Sequence, residues 1–221
     1  KNPDIGIIKM EVLRNEFPKN KFLEKIRKFA TKNNIVLIFD ECTTGFRQTF
    51  GGIYKMFNVK PDILVLGKAL GNGYAITAVL GSNSIMDKEK ETFISSTFWT
   101  ESIGPTAALK TLELMERQKS WIKITKIGRY VIKNWKRIAK KNSIKIQIKG
   151  IPALCSFEFK SKNNNLYKNL ITQEMLKKGF LASNIIYIST THKISILKKY
   201  FKVLDDVFKI ISKCEKGKDI K

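Results

Sequence analysis

Two short apolar runs in this chain each stop at an ionisable residue. Ile35-Val36-Leu37-Ile38-Phe39 runs into Asp40-Glu41, and Ile63-Leu64-Val65-Leu66 runs into Gly67-Lys68. A continuous apolar run bounded by turn-forming residues has no polar face. It therefore predicts a strand buried on both sides, as in a parallel sheet. In open α/β sheets, ligands bind beyond the carboxyl ends of such strands. The pattern delivers an acid and a lysine to the edge where such sheets do chemistry.

The surrounding sequence supplies the rest of that architecture. Residues 5–10 read as a core strand. Phe22, Ile26 and Phe29 recur at helical spacing after Pro18 and predict a helix over 19–32, stopped by Asn33-Asn34. Residues 75–80 read as a further strand ended by Gly81. Pro105 suits a first helical turn, continued over 107–117. This β–α alternation predicts an α/β fold with a mostly parallel sheet covered by helices. The texture changes near Ser120. Ile124, Val131, Trp135 and Ile138 form a helical stripe, whereas Ile144, Ile146 and Ile148 alternate with polar residues, as do Cys155, Phe157 and Phe159. A helix over 166–178, a strand over 185–188 and a long amphipathic helix carrying Leu197, Phe201, Leu204 and Phe208 follow. The expected division is a large α/β domain over residues 1–119 and a smaller α+β domain over 120–221.

Composition narrows the class. No apolar stretch among the 221 residues approaches the ~20 needed to cross a bilayer, and no signal-peptide block opens the chain. The chain lacks an initiator Met and starts almost at once on a core strand, so it reads as beginning inside a longer protein. Three cysteines with no metal-ligand spacing suggest reduced thiols in a cytoplasmic protein that holds no metal. The net charge of +23 raises a nucleic-acid partner, but 36 of the 42 basic residues are Lys and only 6 are Arg. Bidentate phosphate and base contacts favour Arg. The lysines are also scattered. Lys, Asn and Ile share AT-rich codons, so a biased genome accounts for the charge and a nucleic-acid partner is not expected. A basic interaction module stays as the alternative from another class.

The acid and the lysine can be read chemically. Burial disfavours a charged amine, so a lysine at a buried strand edge becomes a nucleophile able to form a Schiff base with an aldehyde. A nearby carboxylate can hold a cationic partner. Pyridoxal phosphate needs both, the amine for its aldehyde and the acid for its pyridinium nitrogen. Gly71-Asn72-Gly73 would let the backbone approach a flat ring, and Ser95-Ser96-Thr97 offers hydroxyls for a phosphate. The acidic strand also fits a P-loop ATPase. That fold needs G-x-x-x-x-G-K-[ST], whereas Ala69 follows Lys68 here and Asp62 stands in place of the first glycine, so a P-loop ATPase fragment stays as an alternative only with such a loop upstream. The single histidine, His192, lies far out in the second domain and reads as structural.

At the level of motifs, Asp40-Glu41-Cys42-Thr43-Thr44-Gly45-Phe46-Arg47 resembles the acidic motif of class III, fold type I pyridoxal-phosphate aminotransferases. The segment from Pro61 through Lys68 to Gly73 resembles their cofactor-lysine motif, with spacing like that of the glutamate-1-semialdehyde aminomutase branch. Weaker matches continue through residues 178–182 and 189–192. The resemblance implies that Lys68 is the Schiff-base lysine and the base that moves the substrate proton. Asp40 would pair with the pyridine nitrogen, and Cys42 would lie under the ring where the family usually has valine. Thr97 would reach the phosphate of a neighbouring subunit's cofactor, implying a homodimer. The implied reaction moves an amino group between an amino acid and a carbonyl compound; intramolecular transfer, as in the aminomutase, is the alternative. Residues 97–105 depart from the aminomutase pattern, which leaves the substrate open. The N-terminal half of the family pattern is absent from the chain. Expressed alone, the chain is expected to be inactive and to aggregate; a monomeric species with a cooperative melt would contradict this.

Overall fold

A computed structural model describes residues 4–217. The chain divides into two compact units, Lys1–Trp121 and Ile122–Lys221.

The first unit holds a four-stranded sheet in the order β1 (Ile7–Met10), β2 (Val36–Asp40), β3 (Ile63–Leu66), β4 (Ala78–Gly81). β1, β2 and β3 run parallel, with Lys9 opposite Ile38 and Asp40 opposite Val65. β4 returns antiparallel to β3. Only a 3-10 turn (Lys68–Leu70) and a loop join those two strands, without the helical crossover that parallel neighbours usually have. Helix α1 (Phe22–Lys32) connects β1 to β2, buries Leu23 and Ala30, and packs on β2. It starts three residues later than its apolar spacing predicts, because Asn20 and Lys21 both hold left-handed backbone at φ 54°. A short helix α2 (Asn83–Met86) and the longer α3 (Ile103–Gln118) complete the unit. Phe46, Leu66, Ala69, Leu70 and Ala108 form a buried cluster, packed against by Phe50, Ile76 and Met115.

The apolar runs are not buried on both sides as their composition predicts. Leu37 and Phe39 are fully buried, whereas Val36, Ile38 and Asp40 on the opposite face are only half-buried. Ile7 and Val79 share that second face by register and are 59% and 54% exposed. Asp40 therefore stands on the less covered face of the sheet. At the other end of the strands, Asp62 Oδ2 accepts from the Leu37 N–H and from Arg27 Nη1, both at 2.7 Å. That one carboxylate ties α1, β2 and the start of β3 together.

The second unit is an antiparallel sheet with helices. Its order is β5 (Ile146–Lys149), β6 (Leu154–Phe159), β7 (Ile185–Tyr187). Helix α4 (Ser120–Lys141) leads into it, α5 (Asn164–Lys177) joins β6 to β7, and α6 (Ile194–Glu215) closes the chain and packs on α5. The alternating residues Cys155, Phe157 and Phe159 of β6 all point into the core. Phe157 meets Trp135 edge-on at 4.8 Å between ring centres and Phe208 at 5.8 Å. The Trp135 indole N–H donates to the Tyr200 hydroxyl at 3.0 Å, which satisfies the polar atoms of a fully buried pair. Helix α4 crosses the turn before β6 at Gly128, where a Cβ would stand 1.8 Å from the Pro152 carbonyl oxygen. The contact is to backbone and cannot relax by side-chain rotation. Gly128→Ala is expected to destabilise the second unit by about 3 kcal/mol, at the top of the range for overpacked cores. The urea midpoint measures this, and an unchanged midpoint would refute the close approach.

Candidate active site

The parallel pairing of β2 with β3 ends both strands at the same edge. Asp40 is the last residue of β2, and Lys68 follows β3 after Gly67. Between them lies Cys42. Its N–H donates to Asp40 Oδ1 at 3.2 Å. A Cβ on Gly67 would meet its sulfur at 3.3 Å, so the thiol rests against the backbone just ahead of Lys68. Burial raises the Cys42 pKa, helped by the hydrogen bond to Asp40 and its charge, while Lys68 and Lys9 pull it the other way. The thiol thus feels both ends of the pair. The structure brings Asp40, Cys42 and Lys68 to one edge.

Lys68 is held oddly. Its φ is +43°, in the left-handed region that long side chains avoid. The conformation is fixed by a tight turn, with Leu70 N–H donating to Gly67 O at 3.0 Å and Asn72 N–H to Lys68 O at 3.1 Å. Local strain of this kind costs ~1–3 kcal/mol and concentrates at functional sites. The amine is exposed and donates to Thr43 Oγ1 at 2.8 Å. The burial expected around it is not provided by the described residues. Thr43 carries no signal of its own in the sequence; only the fold sets it across from the lysine.

Two more groups act on this edge. Lys9, on β1, places its ammonium 3.1 Å from Asp40 Oδ2. Burial pushes the Asp40 carboxyl up, but the Lys9 ammonium and the Cys42 N–H outweigh it and leave the group below its ordinary value. Sequence periodicity placed Lys9 on a strand but could not pair that strand with β2. Glu41, beside Asp40, faces the other way and is fully buried. Its carboxylate accepts from the Ile53 N–H, from the Tyr54 N–H at 2.9 Å and from Thr44 Oγ1 at 3.2 Å.

Other expected site residues are not joined to this edge. Thr97 lies exposed, and no hydrogen bond or ion pair among the described residues links it to Asp40, Cys42 or Lys68. Ser96 Oγ is used locally, accepting from the Phe98 N–H at 3.3 Å. The N-terminus of α3 is served by an anion of the chain: Glu101 accepts from the Ile103 N–H and from the Gly104 N–H at 3.0 Å. His192 belongs to the second unit, where Nδ1 accepts from the Ser189 N–H at 3.0 Å and caps a turn.

Residues 15–213 match the family pattern of aminotransferase class-III. The chain belongs to that family. The 3-aminobutyryl-CoA aminotransferase of Cloacimonas acidaminovorans is 36% identical over 159 residues, covering 72% of this chain and 38% of the relative. The glutamate-1-semialdehyde 2,1-aminomutase of Methanocaldococcus jannaschii is 29% identical over 208 residues, covering 86% and 49%. The class-III chain therefore spans less than half the length of these relatives. Among solved structures, the PLP internal aldimine form of the FumI protein of Sphingopyxis sp. MTA144 superposes with a TM-score of 0.90 at 19% identity, over 99% of this chain and 55% of that one. An ornithine aminotransferase of Plasmodium yoelii gives 0.77 at 24% identity, over 92% and 56%. The fold is that of fold type I pyridoxal-phosphate enzymes, and pyridoxal 5′-phosphate is the cofactor of the class-III family.

Glu41 offers a test of the local architecture. Burial raises its pKa despite the hydrogen bonds from Tyr54, Ile53 and Thr44 that lower it. A carboxyl whose folded value is raised contributes stability below its unfolded value, and that contribution is lost as pH rises through the folded value. Glu41→Gln removes this pH dependence. It also turns an amide NH₂ toward one of the backbone N–H donors, at a cost of about 1–3 kcal/mol. Denaturant melts of both proteins above the ordinary carboxylate range read the two effects; an identical pH slope in the variant would exclude the assignment.

Proposed function

We propose that the chain is part of a pyridoxal-phosphate-dependent aminotransferase that moves an amino group between an amino acid and a carbonyl compound. The observation that carries this reading is the common edge of β2 and β3, where a carboxylate and a strained, outward-turned lysine flank one thiol. The donor set suits the group: an amine for its aldehyde and a carboxylate for its ring nitrogen. When bound, the cofactor supplies an electron sink for the bond broken at substrate Cα. Lys68 would hold the cofactor through its amine and then carry the proton at Cα, with Thr43 orienting that amine between steps. Asp40 would keep the ring nitrogen charged, and Cys42 would pack beneath the ring. Thr97, exposed on its turn, would reach the phosphate of the cofactor in a second copy of the chain, so the enzyme would act as a homodimer. Residues 1–119 would then be the C-terminal part of the cofactor-binding large domain and residues 120–221 the small C-terminal domain. The free cysteines Cys42, Cys155 and Cys214 support a reducing, cytoplasmic setting. No described helix is long and apolar enough to cross a membrane, and no described cluster of His, Cys, Asp and Glu could hold a metal ion.

Intramolecular amino transfer is the second reading, favoured by the 41% identity over 127 residues to the glutamate-1-semialdehyde 2,1-aminomutase of Nitrosopumilus maritimus. Borohydride reduction of the intact protein loaded with pyridoxal phosphate is expected to fix the cofactor to the peptide containing Lys68, and Lys68→Ala to abolish the label. A labelled peptide elsewhere, or none, sinks the proposal. Turnover of glutamate-1-semialdehyde without an added amino donor would select the aminomutase; turnover only with a separate donor and carbonyl acceptor selects the transaminase.

A further inference from the structure

Lys9 is a charged residue on a strand otherwise made of Ile7, Ile8 and Met10. Its position is set by pairing. Lys9 lies opposite Ile38, and Asp40 is two residues further along the same strand, hence on the same face. Diagonal neighbours across a sheet are ~7–8 Å apart, within reach of a lysine. The ammonium reaches Asp40 Oδ2 at 3.1 Å, while Oδ1 accepts the Cys42 N–H. Both oxygens of the carboxylate are therefore engaged by donors of the chain. Lys9 has no hydrogen bond or ion pair with another acid among the described residues.

We infer that Lys9 is a positioning residue for Asp40, whose ammonium shares the carboxylate with the cofactor's ring nitrogen and so lowers the proton affinity of that nitrogen. This rests on the aminotransferase reading above. A carboxylate that already faces one cation stabilises a second less, and the two cations also repel each other. The groups facing Asp40 are few: Lys9 from β1, the N–H and thiol of Cys42 from its own strand end, and, through Cys42, Lys68 beyond β3. Of these, Lys9 alone is a cation in direct contact. Asp40 is held by Lys9 and Cys42 at once, which fixes its rotamer before any ring arrives. The ring nitrogen of this enzyme is consequently a weaker electron sink than an unshared aspartate would make it, and its protonation responds to a residue two strands away from Lys68.

The test uses the intact holoenzyme loaded with pyridoxal phosphate labelled with ¹⁵N in the ring, whose chemical shift reports ring protonation without turnover. Lys9 is more than half exposed, so replacement leaves the core untouched. In Lys9→Met the ring nitrogen is expected to hold its proton to higher pH, with the midpoint moved up by roughly 0.2–0.7 of a pH unit, the size a partly exposed ion pair supports. Lys9→Arg, which keeps the charge, is expected to restore the wild-type midpoint, and Lys9→Gln to follow Lys9→Met. A ring nitrogen in the same state at every pH in wild type and Lys9→Met overturns the inference, as does a downward shift or an equal shift in Lys9→Arg. Those results leave the aminotransferase reading intact. A wild-type protein that binds no labelled cofactor at Lys68 overturns both.

Discussion

The crossover from β2 to β3 depends on one buried carboxylate. Parallel strands are usually joined by a helix that covers the sheet and satisfies its own backbone. Here the link is irregular, with only a 3-10 turn at Ile53–Met56. Its N–H groups have no helix to serve them, and Glu41 takes over that task for Ile53 and Tyr54. The chain is threaded closely around this point. A Cβ at Gly52 would stand 2.8 Å from Glu41 Oε1, and one at Gly45 would stand 2.8 Å from the Glu41 carbonyl oxygen. An unpaired buried polar group costs ~1–3 kcal/mol, so the loop and the acid are stable only together. The neighbouring pair Asp40-Glu41 thus divides its labour by strand alternation, one side chain toward the site and the other into the loop that builds the site.

Fixing the crossover fixes the start of β3, and β3 in turn sets where Lys68 emerges. Asp62 anchors the beginning of that strand to Leu37 and Arg27, and Glu41 N–H donates to Val65 O at 2.8 Å near its end. With both ends held, the chain must turn at Gly67, where Cys42 and Thr77 leave no easy room for a side chain. Lys68 then takes the left-handed conformation that turns its amine toward Thr43. The left-handed lysine thus follows directly on a strand held in register with β2 and is fixed by its own tight turn.

Much of this was legible in the sequence, for a physical reason. Apolar runs stopped by Asp40 and by Gly67-Lys68 carry their own strand ends, and parallel pairing needs only that such runs be adjacent. What stayed hidden depends on contacts between distant residues. Lys9 looks like a solvated strand position until β1 is paired with β2. Thr43 is one hydroxyl among several until the turn at Gly67 points Lys68 at it. The burial of the runs was not legible, because continuity of apolar residues says nothing about which face the chain itself covers. The helix start at Phe22 was also hidden, since nothing in the residues after Pro18 shows that Asn20 and Lys21 hold left-handed backbone.

The lysine-rich composition follows the same distinction between local and distant contacts. Most ion pairs in the described residues are exposed pairs three residues apart, such as Lys88 with Glu91, Lys110 with Glu113 and Lys209 with Asp206. Exposed pairs of this kind contribute ~0–1 kcal/mol each and are screened by salt. Along α4, Lys126, Lys133, Lys136 and Lys140 fall on the exposed face opposite Val131, Trp135 and Ile138, where an amphipathic helix tolerates any charge. The basic residues that shape the fold are those that join different elements. Arg27 ties α1 to Asp62, and Lys141 ties α4 to Asp205 of α6 at 2.5 Å, with Asn142 on the other oxygen at 2.8 Å. Lys9 on Asp40 is another of this kind. A drift toward lysine in the composition changes the first group at little cost. In the second group, partner, reach and strand register must agree, and there a lysine has consequences for the site.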